Sequence, residues 1–74
     1  MKFGNWIASQ LPEDITEYKF EILANFGKGS VYRWKNNHAP KLCSLITTIN
    51  VLEQITDKTR HELLISLFDS VIYD

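Results

Sequence analysis

Cys43 is the only cysteine in 74 residues, so no internal disulfide can form and the stapled framework of a small secreted domain is excluded. Apolar runs such as Leu63 to Ile65 and Val71 to Tyr73 are far too short to span a bilayer. The start, Met1 to Trp6, lacks the continuous apolar segment of a secretion signal, so a cytoplasmic location is expected. Two histidines, one thiol and scattered acids show no metal-ligand spacing, and no metal or other cofactor is expected. The chain has no internal repeat and no low-complexity linker. A chain of 74 residues has a thin core, which argues against a large enclosed site for a small-molecule substrate and in favour of association with a partner.

Hydrophobic residues make up 45% and charged residues 23%, the balance of a folded globular chain, and 1–74 is read as one domain. The net charge of −1 conceals a pattern. Residues 25–52 contain Lys28, Arg33, Lys35 and Lys41 with no acid, and His38 lies among them. The flanking thirds are acidic. A purely cationic block of this kind suits phosphate binding, although a solvated basic loop and helix would look the same.

Apolar spacing predicts helices throughout. Phe3, Trp6, Ile7 and Leu11 mark a first helix that ends near Pro12. Thr16 caps a second, with Tyr18, Phe20, Leu23 and Ala24 as its apolar positions. Asn25-Phe26-Gly27 breaks the pattern with residues that tolerate a left-handed backbone. A third helix is predicted from Lys28 to Asn36, seated by Val31 and Trp34. Pro40 suits the first turn of a fourth, which buries Leu42, Leu45, Ile46, Ile49 and Leu52. Thr56 or Asp57 caps a fifth, with Leu64, Leu67, Phe68, Val71 and Ile72 as its core stripe. The predicted fold class is all-α, a compact bundle of about five short helices.

Glu17 to Asn36 carries the sharper signal. A helix-turn-helix needs two short helices locked at a steep angle by a tight turn. Phe20 and Ala24 supply the inner face, Asn25 the turn, Phe26 the plug, and Val31 and Trp34 the seat of the second helix. Glu21 and Asn25 depart from the motif, which usually places a small residue and a glycine there.

From Val31 to Leu42 the chain resembles the Cro/lambda-repressor-type helix-turn-helix regulators (XRE-like), in which a Trp, a charged residue, a polar turn and a Pro recur at these spacings. Leu45, Ile46 and Leu52 continue in step with that family's fourth helix. Arg33-Trp34-Lys35, Pro40-Lys41 and Val51-Leu52-Glu53 are similar to the lambda cII-type phage activators. The broader likeness covers roughly residues 3–55. It implies a lambda-repressor-like DNA-binding domain, of phage or mobile-element origin, whose helix 28–36 enters the major groove of double-stranded DNA.

The chemistry of the residues is compatible with that. With Val31 and Trp34 facing inward, Lys28, Gly29, Tyr32, Arg33 and Asn36 face outward as candidate base contacts. Arg33 suits guanine and Asn36 adenine. Gly27, Lys35, Asn37 and Lys41 are candidate phosphate contacts, and Gly27 and Gly29 would let a phosphate approach the N–H groups of the helix start. Arg33 has an alternative as a surface ion pair with Glu17 or Glu21, Tyr32 as plain surface packing, and Trp34 is read as core.

No enzyme is expected. Cys43 beside His38 or His61 reads as a half-buried small hydrophobe. Glu13-Asp14 reads as a solvated helix lead-in. Gly27-Lys28-Gly29-Ser30 lacks the spacing and preceding strand of a phosphate loop. Two functions remain: a sequence-specific transcriptional regulator, or a helix-turn-helix-fold module, such as an antitoxin or inhibitor, that docks a protein.

The fifth helix also predicts self-association. Leu63 and Ile65 lie outside its expected stripe, so residues 57–74 are read as joining a homodimer or higher homo-oligomer. The predicted interface is Leu63, Leu64, Leu67, Phe68, Val71 and Ile72. The competing reading buries this helix wholly within one monomer.

Overall fold

Several helix ends fall where the sequence supplies a cap or a breaker. The computed structural model describes residues 1–36 and 38–72, and every regular element within them is helical. Helix α1 (Phe3–Gln10) ends at Leu11, whose extended backbone is what the following Pro12 demands. Helix α2 (Glu17–Leu23) begins under Thr16, whose hydroxyl accepts the N–H of Lys19 at 3.1 Å. Helix α3 (Ser30–Lys35) is short, and α4 (Leu42–Ile55) is the longest. Helix α5 (Arg60–Leu67) passes directly into a π-helical turn, Phe68–Ile72.

The α2–α3 connection is built from α2's own end. Asn25 adopts φ +59°. The N–H of Phe26 reaches the Glu21 carbonyl at 2.8 Å, and that of Asn25 reaches Ile22 at 3.1 Å. This is the Schellman arrangement, with Asn in the left-handed position usually held by Gly. Its apolar clasp is the Phe20–Phe26 pair, centroids 5.9 Å apart. The break is longer than the three residues expected. Lys28 and Gly29 form a turn ahead of α3 rather than its first residues, and it is Gly29, not Gly27, that takes a positive φ, +85°.

All five helices supply the core: Trp6 and Ile7, Phe20, Val31, Thr48 and Leu52, and Leu63 are fully buried. An aromatic chain continues from Phe26 to Trp34 (5.1 Å, edge-on), then to Phe3 (5.2 Å) and Trp6 (6.1 Å, stacked), tying the turn to α3 and α1. Helix α1 packs along α3 most closely at Gly4. A Cβ there would lie 2.4 Å from the Val31 carbonyl and 2.5 Å from the Lys35 nitrogen. The Trp6 indole donates to Ser66 Oγ at 3.0 Å, fastening α1 to α5. The radius of gyration, 11.1 Å, matches the value of about 11 Å for one domain of this length.

Three expectations are corrected. Helix α4 turns Ile49, Leu52 and Thr48 inward, leaving Leu42 (72% exposed) and Ile46 on the surface. Pro40 precedes the α4 cap residue, Lys41, instead of occupying the first turn. Thr56 ends α4, donating to the Leu52 carbonyl at 2.7 Å, and Thr59 caps α5 through a reciprocal box with Glu62.

The register of α5 differs most. Leu63 and Leu67 face the core, with Val71 packed partly against it. Leu64, Ile65, Phe68 and Ile72 face outward. Leu63 is therefore covered by the monomer's own core, and Leu67 reaches the surface only at the bottom of the hollow between α4 and α5.

Candidate nucleic-acid interface

Helix α3 is held on its inner side and bare on its outer side. Val31 and Trp34 are buried, while Gly29, Tyr32, Arg33 and Asn36 recur at the spacing of one helical face. Tyr32 is 69% exposed, and Arg33, Asn36 and Lys28 are exposed as well. Gly29 is half-buried at the cap position. The structure thus brings four of the five expected base-contacting residues onto one face and leaves Lys28 at its leading edge.

Several of these groups already have partners. Arg33 Nη2 donates to Ser30 Oγ at 3.2 Å, and Ser30 Oγ donates to the Gly27 carbonyl at 2.6 Å. Arg33 pairs with neither Glu17 nor Glu21 in this arrangement. Asn36 Nδ2 donates to the Tyr32 carbonyl at 2.9 Å, closing the end of α3. A bidentate bond from Asn36 to adenine would first have to break that contact.

The phosphate-facing set divides. Lys35 Nζ sits 2.7 Å from the Glu17 carboxylate, half-buried, so its charge is largely offset. Lys41 is exposed at the start of α4, and Gly27 is exposed in the turn. Asn37 lies outside the described residues.

Glu21 is the residue whose role sequence reasoning missed. It is only 5% exposed, and its two carboxylate oxygens accept the N–H groups of Gly29 (3.1 Å) and Val31 (2.9 Å). The carboxylate thus occupies the positive end of α3. The expectation that a phosphate could approach the N–H groups of the helix start is corrected: those of Gly29 and Val31 bond to Glu21 and that of Ser30 to the Gly27 carbonyl. The signal was present in the sequence, since an acid at an inward helical position must find donors if it is buried.

Elsewhere the chemistry is sparse. Cys43 is exposed, not half-buried as expected. Among the described residues no three His, Cys, Asp or Glu side chains lie close enough to hold a metal ion, and no helix is long and apolar enough to cross a membrane. A shallow hollow of about 500 Å³ lies between Phe3, Trp34, Pro40 and Val71, and its lining among the described residues contains no acid, hydroxyl or thiol. A second, apolar hollow of about 230 Å³ lies between α4 and α5. Comparison with protein-family models, with curated proteins and with solved structures found no match to this chain.

Proposed function

We propose that this chain is a sequence-specific duplex-DNA-binding protein that regulates transcription by placing the outer face of α3 in the major groove. The observation that carries this reading is the make-up of that face. Tyr32 and Arg33 project from a short helix fixed from behind by Val31, Trp34 and Glu21, and the chain from 25 to 52 has no acid. Arg33 is the candidate for reading guanine, with Tyr32 beside it. Lys28 and Lys41 are candidate phosphate contacts, setting affinity and orientation. The resemblance to phage activators supports a regulator of phage or mobile-element type.

A protein-docking module is the second reading. Tyr18 and Ile22, one turn apart on α2, are both more than half exposed, and phosphates have little use for such a surface. Gel retardation of a random-sequence duplex at two salt concentrations separates the readings. A DNA binder gives weak retardation that falls steeply with salt. Absence of retardation at low salt would support the protein-docking module.

A further inference from the structure

We infer that a second copy of this chain docks in the groove between α4 and the α5–π-turn segment, forming a two-fold dimer. Leu42 and Ile46 form one wall, Leu64, Phe68 and Ile72 the other, and Ile49 and Leu67 the floor. The five wall residues are each at least a third exposed, although the monomer's core is already complete behind them. In a plain α-helix, residues at i, i+4 and i+8 drift around the axis, because each turn takes 3.6 residues. The wider turn at Phe68–Ile72 drifts the other way, which brings Ile72 back toward the side of the helix that Leu64 occupies.

The composition of the groove selects its occupant. Among the described residues its polar lining is Asn50 and Arg60, and Arg60 is engaged by Glu53 through both its guanidinium (3.4 Å) and its backbone N–H (3.0 Å). Among the described residues a phosphate or charged peptide would find no uncompensated charge there. A second copy brings an equally neutral, equally apolar surface, and a two-fold axis makes the contact self-complementary. The area also fits. At 36–72% exposure each, the five wall residues present a few hundred Å² of surface, on the order of the ~800 Å² per partner in a standard interface.

Sedimentation equilibrium at micromolar to submillimolar concentrations tests this without DNA, so it stands or falls apart from the DNA-binding reading. The expected result is reversible association to twice the 8.6 kDa chain mass. Leu42→Glu and Ile46→Glu, at exposed positions that leave the core intact, should each weaken association by at least ~100-fold by placing an unpaired charge in the interface. Tyr18→Glu, on α2, should leave it unchanged. Circular dichroism of each variant checks that the fold is retained. A monomer throughout the concentration range would overturn the inference. So would a dimer that tolerates both groove substitutions or is broken by Tyr18→Glu.

Discussion

The Glu21 carboxylate accepts the backbone N–H of Val31 at 2.9 Å, while the Glu21 carbonyl accepts the N–H of Phe26 at 2.8 Å. One residue thus closes the end of α2 and opens α3. The turn between them is fixed at both rims, and a helix of only six residues, too short to stand alone in water, is given a defined start.

Removing that carboxylate should loosen the turn. Glu21→Ala leaves the N–H groups of Gly29 and Val31 without their acceptors, at a cost of about 2–3 kcal/mol. Glu21→Gln keeps one acceptor oxygen and should lose less. Thermal unfolding reads this as a drop of roughly 10–20 °C for the alanine variant and a smaller one for glutamine. Equal stability of all three proteins would show that the caps contribute nothing.

Gly4→Ala should destabilise the fold even though alanine is the better helix former. The added methyl meets backbone, the Val31 carbonyl and the Lys35 nitrogen, so α1 and α3 must separate. The cost is about 1–3 kcal/mol, larger than the gain of about 1 kcal/mol in helix propensity. Urea denaturation measures the balance, and a net stabilisation would mean that the two helices are not in close contact.

Local signals were legible in the sequence where a residue's neighbours decide its role. Thr16 as a cap, Asn25 in the left-handed region, and Val31 with Trp34 facing inward all follow from short spacings. The stretch from Leu63 to Phe68 is apolar at every position but Ser66, so periodicity could not choose its inner face. Packing against the rest of the core chose Leu63 and Leu67. The spacing puts Leu42 and Ile46 inside for a similar reason, since apolar residues nearly encircle α4. At Glu21 the sequence misleads, because a long acid where two helices meet suggests a clash. The turn lets its carboxylate swing to the start of α3 instead.

Glu17 should restrain DNA binding through Lys35. The pair is half-exposed and contributes little to stability, about 0–1 kcal/mol. In Glu17→Gln the Lys35 ammonium is released for a phosphate. Duplex affinity should rise, and the salt dependence should steepen by up to about one counterion. Fluorescence anisotropy across a salt series checks this, and an unchanged slope would remove Lys35 from the interface.

Thr48→Val should stabilise the protein. Thr48 is fully buried on α4, and its hydroxyl has no hydrogen-bond partner among the described residues. Valine keeps the shape and removes the stranded polar group, for an expected gain of about 1 kcal/mol. A lower midpoint in chemical denaturation would show that the hydroxyl is satisfied in solution.

The most direct test of the DNA-binding role is selection of bound sites from a random duplex library with wild-type and Arg33→Ala protein in parallel. The wild-type protein should enrich one defined site. The variant should select the same site with one base position relaxed and bind it more weakly by about 1–3 kcal/mol. Failure of the wild-type protein to enrich any site, or an unchanged base preference in Arg33→Ala, would contradict the assignment of α3 as the reading helix.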